Sequence, residues 1–126
     1  MPHIQRQYII DHPELLFVFG DNDARKGRGG LAKETRGLFN TLGIRVKKYP
    51  SMDEDCFYND KEFEVQKRKI DQDINELVER SKDHEAVVFP LNGIGTGLAM
   101  LPEKSPISYK YLVEMLKEIG VYKCQL

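Results

Sequence analysis

The chain has no tryptophan and only two cysteines, Cys56 and Cys124, among 126 residues. Neither cysteine stands in a CxxC or Cys/His spacing, so no disulfide framework or zinc site is expected and both read as packed or incidental thiols. Charge of one sign is also lacking. Nineteen basic residues nearly balance twenty acidic ones, which removes the general phosphate attraction on which nucleic-acid affinity rests, so nucleic-acid binding is not expected. No apolar run approaches the ~18 residues of a membrane span, and the start MPHIQRQ lacks the charge-then-apolar order of a signal peptide. No membrane association is expected, and the cytoplasm is the expected location. With no repeat, low-complexity tract or linker, residues 1–126 read as a single domain.

What is present is an alternation of short apolar runs with helical patterns, the mark of a layered α/β fold with a mixed, mostly parallel sheet flanked by helices. YII at 8–10 and LLFVF at 15–19 read as strands separated by His12-Pro13. Leu31, Ala32, Thr35, Leu38 and Phe39 then fall at helical spacing, with Gly43 where a C-cap glycine would sit. GIRVKKY at 43–49 is a short strand and PSMDEDCFYND a loop. From Lys61 to Ser81, apolar residues at Phe63, Val65, Ile70, Ile74, Leu77 and Val78 mark an amphipathic helix. AVVFP at 86–90 is apolar enough for a central strand buried on both faces. Ser105-Pro106 opens a final helix that Gly120 ends, and VYKCQL reads as an edge strand.

Two glycine-bearing loops each follow an apolar strand, where open α/β sheets bind ligands. The first, in "FVFGDNDARKGRGGLAKETRG" at 17–37, carries Gly20, Gly27, Gly29 and Gly30 before a helix start. Backbone N–H groups without a Cβ beside them approach an anion closely there. The second, "LNGIGTGL", runs through Asn92, Gly93, Ile94, Gly95, Thr96, Gly97 and Leu98, and its hydroxyl is placed to donate to a phosphate. Tight turns with positive φ account equally for either set of glycines taken alone. GxxxxGK[ST] is absent and the first loop lacks G-x-G-x-x-G, which sets aside the Walker and Rossmann readings.

The order of these pieces resembles the macro domain superfamily, and within it the branch of terminal ADP-ribose protein glycohydrolases. "VFGDN" followed by "RGGLA" stands where that superfamily has a strand ending in asparagine and then a glycine-opened helix. "RVKKY" is similar to the branch's middle strand, and "FPLNGIGTGLAMLP" to its second loop. The resemblance implies a small three-layer macro-like fold that takes ADP-ribose or a related nucleotide without a cofactor. It implies Asn22 at the distal ribose, Gly29, Gly30, Leu31 and Ala32 facing the diphosphate, and Gly95, Thr96 and Gly97 as the second phosphate loop. Lys47 resembles the branch's attacking lysine. The partner acid falls on Ala99, which can neither give nor take a proton.

Asp21 and Asp23 flank Asn22 in positions to orient a water, or they serve the turn as short carboxylates do. Lys47 is either a cleft amine made nucleophilic by desolvation or a solvated strand-end lysine. Phe57 and Tyr58 are candidates to stack on the ligand, with core packing the alternative. No metal is expected: His3, His12 and His84 form no ligand cluster, and Asp53, Glu54 and Asp55 read as a solvated acidic run. The expected function is binding of ADP-ribose or a related nucleotide between the two loops, with or without hydrolysis of an ADP-ribosyl bond on a macromolecule. Sequestering or sensing a nucleotide-derived signal without turnover is the alternative. A further possibility is an interaction protein that docks a partner through the helix at 61–81.

Overall fold

A computed structural model describes residues 5–27, 32–119 and 123–125. Four strands, β1 (Leu15–Asn22), β2 (Thr41–Lys47), β3 (Ala86–Phe89) and β4 (Lys123–Gln125), form one sheet in the order β2-β1-β3-β4. Every ladder in it is parallel. The helices are α1 (Arg6–Asp11), α2 (Ala32–Thr35), α3 (Phe63–Ser81), α4 (Leu101–Lys104) and α5 (Pro106–Glu118). Single 3-10 turns lie at Glu54–Cys56 and Asp60–Glu62. The fold is α/β, and no helix among the described residues is long and apolar enough to cross a membrane.

Alternation along β1 builds the two faces of the sheet. Leu16 and Val18 join Leu42, Ile44, Val46, Val87 and Phe89 in a core closed by Ile70, Ile74 and Leu77 of α3 and Leu112 of α5. Phe17 and Val88 face the other way and meet Ile9 of α1. β1 lies between β2 and β3 in the sheet. The chain therefore leaves β1 toward one edge and returns to add β3 on its other side, which makes the ends of β1 and β3 the topological switch point where loops diverge and a crevice opens.

Several sequence expectations are corrected. YII at 8–10 is helical, because only Ile9 is buried while Ile10 is 45% exposed and the Tyr8 ring stacks on His12 and Phe17. Three adjacent apolar residues imitate a strand when just one of them enters the core. The helix after the glycines spans only Ala32–Thr35, and Phe39 is 69% exposed. Gly43 caps nothing. It sits inside β2 opposite Phe19, where an added Cβ would come within 2.7 Å of the Asp21 carboxylate. In α3, Val65 faces outward while Gln66 and Asp73 are buried.

The final helix begins at Pro106 as expected, but Ser105 makes no cap with its own side chain. Asp60 accepts from the Ile107 N–H at 3.0 Å and from the Ser105 hydroxyl at 3.2 Å, so the cap comes from another element. That helix ends at Glu118, and Gly120 lies outside the described residues. β4 pairs only with β3 and forms the edge.

Candidate functional site

Residues from three strand ends gather at the switch point. Asn22 and Lys47 are register partners across the bulge that closes the β1–β2 ladder. A Cβ on Gly20 would lie 3.2 Å from Val46 and 3.4 Å from the Gly95 nitrogen, so the end of β1 touches the second loop directly. Gly95 has φ +84°, and a Cβ there would come within 3.1 Å of Leu101, a place that only glycine fills without strain. Gly20, Asn22 and Lys47 at the strand ends thus adjoin Gly95 and Leu98 of the second loop.

The second loop is short of acceptors. Its carbonyls are used: Met100 N–H donates to Gly97, Leu101 N–H to Gly95, and the Thr96 hydroxyl to Asn92 at 2.9 Å. The backbone N–H groups of Gly95, Thr96, Gly97 and Leu98 find no acceptor among the described residues. Around Gly97 an added Cβ would meet nothing within 4 Å, so the loop borders open space at that residue, whereas Gly95 is packed between Gly20 and Leu101. A run of adjacent free N–H groups is the backbone form of an anion seat. The Thr96 proton is spent inside the loop, so backbone rather than hydroxyl donors are offered.

Lys47 stands beside that row. It is 7% exposed, and its Nζ donates to the Leu98 carbonyl at 3.2 Å and contacts Met52 Sδ at 3.4 Å, above the Phe57 ring at 4.8 Å. No carboxylate pairs with it among the described residues. Burial pushes the ammonium below its ordinary range, since desolvation penalises the charged form. Lys48 turns away to half-buried surface and pairs with Glu62 at 2.5 Å.

The first loop is built differently. Asn22 spends its amide on the loop itself: Nδ2 donates to the Lys26 carbonyl at 2.7 Å, and Oδ1 faces the Lys26 N–H at 3.4 Å. Arg36 draws in the carbonyls of Gly27 at 2.7 Å and Lys26 at 3.0 Å. Asp21 is enclosed by Arg36 at 2.5 Å, Arg25 at 3.2 Å and the Asn22 N–H at 2.8 Å, so its oxygens are taken and it holds the loop rather than orienting a water. Asp23 is likewise taken, by the Tyr58 hydroxyl and Lys69 Nζ, each at 2.6 Å. Gly29, Gly30 and Leu31 lie outside the described residues, and Ala32 opens the single turn of α2.

Phe57 and Tyr58 are both buried, so neither presents a face for stacking; burial and the bond to Asp23 also push the Tyr58 hydroxyl far up. His12 pairs with Glu14 at 3.0 Å and His84 with the Pro13 carbonyl at 3.1 Å, both at the opposite end of β1. Asp53, Asp55 and Cys56 bring one ligand atom each within 4.8 Å of one another, with both aspartates exposed.

Sequence reasoning missed Asp73, Arg36, Arg45, Met52 and Lys104. Asp73 is buried on α3 and accepts from the Arg45 backbone N–H at 2.7 Å, from Arg45 Nε at 3.0 Å and from Arg25 at 2.8 Å. Burial works against the Arg45 charge, yet Asp73 more than offsets it and the guanidinium titrates above its ordinary range. The available signal was an aspartate between Ile70, Ile74 and Leu77, where the helical stripe calls for an apolar residue.

The chain belongs to DUF7831, a family of unknown function. The family model matches residues 1–115. That span takes in both glycine loops, Lys47 and Asp73. No curated protein and no solved structure matches the chain.

Proposed function

We propose that the chain binds ADP-ribose or a related nucleotide in the crevice between the ends of β1 and β3. One observation carries the reading: the N–H groups of Gly95–Leu98, without an acceptor among the described residues, lie beside a buried lysine that has no counter-charge among them. An anion supplies what both lack, since it accepts from the backbone row and neutralises the ammonium. A diphosphate flanked by sugars fits such a seat, and the resemblance to macro domains points to the same ligand. The cytoplasm, where such nucleotides circulate, is the compartment that goes with this reading.

Hydrolysis of an ADP-ribosyl bond on a protein or nucleic acid is the catalytic form of the proposal. The neutral Lys47 amine attacks the anomeric carbon as its bond to the acceptor group breaks and that group leaves with a proton. Water then displaces the lysine, releasing ADP-ribose and restoring the amine. Binding without turnover, for sequestering or sensing, is the second reading, and Ala99 favours it. That residue packs against the core where the resemblance asks for an acid, and Asp21 is already bound to arginines.

The test is thermal unfolding with ADP-ribose. Ligand at a hundred times its Kd stabilises by about 2.7 kcal/mol through mass action. A rise in Tm that Gly97→Val and Lys47→Met both remove is the expected result. No rise with ADP-ribose, while another nucleotide does stabilise the protein, overturns the ligand assignment. Release of ADP-ribose from a modified protein, lost in Lys47→Met, selects the catalytic form; intact ligand after long incubation selects the other.

A further inference from the structure

The segment between β2 and the first 3-10 turn lies across the candidate site. Its two ends are pinned together: Lys48 N–H donates to the Cys56 carbonyl at 2.7 Å, and Lys47 and Phe57 form an isolated antiparallel bridge. Residues 49–55 therefore leave and return at one place, as in a compact surface loop closed at its neck. Its interior bonds are few and local, from Ser51 N–H to the Tyr49 carbonyl at 2.8 Å and from Asp53 N–H to the Ser51 hydroxyl at 3.2 Å.

Three contacts tie this loop to the rest of the described chain, and each reaches a different part of the site. Pro50 packs on Gly27 of the first loop, where an added Cβ would come within 2.7 Å of the proline. Met52 Sδ covers Lys47 Nζ at 3.4 Å although Met52 is itself 55% exposed. Glu54 pairs at 2.8 Å with Lys104 of α4, the helix that follows the second loop. None of the three is strong. A thioether is a weak acceptor, the proline contact is small, and the Glu54 side chain is largely solvated, where ion pairs contribute about 0.2–1 kcal/mol.

We propose that residues 49–55 form a strap that closes the crevice over Lys47, latched by the Glu54–Lys104 ion pair, and that a ligand reaches the amine only when the latch opens. The proposal rests on the crevice being the binding site but not on the identity of the ligand. The strap's position also explains how Lys47 is nearly inaccessible while lying next to exposed loop backbone.

Reductive methylation with formaldehyde and cyanoborohydride, followed lysine by lysine with peptide mass spectrometry, reads access to the amine directly. In the unmodified sequence Lys47 is expected to react far more slowly than the exposed Lys82. Glu54→Gln is expected to speed Lys47 about two- to fivefold, the opening factor that loss of a solvated ion pair gives. Met52→Ala is expected to speed it further, and Lys69 of α3, paired with Asp23 of the first loop, should keep its rate in both variants. Equal Lys47 rates in all three proteins overturn the strap, as does a parallel rise at Lys69, which would signal general loosening. ADP-ribose separates this from the functional reading. Faster Lys47 labelling in the variants with no protection by ADP-ribose keeps the strap and removes that ligand. Protection by ADP-ribose with identical rates in all three proteins keeps the ligand and removes the strap.

Discussion

Two buried ionic positions at the same end of the sheet are treated in opposite ways. Asp73, on the buried face of α3, has two guanidiniums and a backbone N–H on its oxygens, and Asp21 repeats the pattern with Arg25, Arg36 and the Asn22 N–H. Lys47 is also buried, but among the described residues it has a carbonyl, a thioether and the face of the Phe57 ring, and no carboxylate. A charge whose partners are all in place is a structural post. A charge taken out of water without a counter-ion costs stability, and in the function proposed above an arriving anion is what offsets that cost.

The largest effect that sharpens this contrast is at Asp73. Asp73→Ala strips the acceptor from two arginines and from the Arg45 N–H in the edge strand β2, and about 3 kcal/mol of stability should be lost in urea unfolding. Asp73→Asn should lose less, because an amide oxygen still accepts from Arg45. Arg25 also donates to the Gly43 carbonyl at 2.7 Å, so the same network covers the open side of β2 in place of a fifth strand.

Lys47 should behave in the reverse sense. Lys47→Met removes an unneutralised charge, together with the ammonium's contact with the Phe57 ring, and leaves an unbranched apolar chain in its place, so stability should stay level or rise by about 1 kcal/mol at neutral pH. The pH dependence fixes the cause. The folded protein holds the Lys47 proton less tightly than the unfolded chain, whose value is the ordinary 10.5. The unfolded state therefore binds more protons below that pH, and the penalty fades as pH rises toward it. The gap between Lys47→Met and the parent protein should thus narrow on the alkaline side. A loss in Lys47→Met as large as in Asp73→Ala would break the comparison and make the lysine a post like the others.

How much of this was legible follows the range of the interactions. β1 and β3 announce themselves as unbroken apolar runs and α3 by apolar residues at helical spacing, and the two loops because glycines follow strands. The network around Asp21 and Asp73 does not, since Arg36–Asp21 and Arg25–Asp73 pairs join residues 15 and 48 positions apart. Gly43 shows the same limit. Its lack of a side chain matters because the Asp21 carboxylate fills that space, and nothing near Gly43 in sequence says so. Whether Lys47 points inward also depends on where β2 stops and on the strap that returns over it.

The smallest expected effect lies on the α3–α5 seam, where Tyr111 gives a control for the alkaline measurements. Its hydroxyl donates to Asp71, its ring meets Phe63 edge-on, and Lys67 stands 5.3 Å above it. Burial first, and then the bond to Asp71, raise its ionisation from 10.0 to about 12. A raised folded value means the contribution is complete below pH 10 and is lost as pH climbs through 12. Tyr111→Phe should cost about 1 kcal/mol or less at neutral pH, because the seam is partly solvated, and should flatten the alkaline loss. Lys47 therefore acts below its ordinary 10.5 and Tyr111 from 10.0 upward, with opposite signs. If Tyr111→Phe leaves the alkaline limb above pH 10 unchanged, the bond to Asp71 has no part in it, and the loss there belongs to Tyr58, whose hydroxyl is raised further by burial and by Asp23.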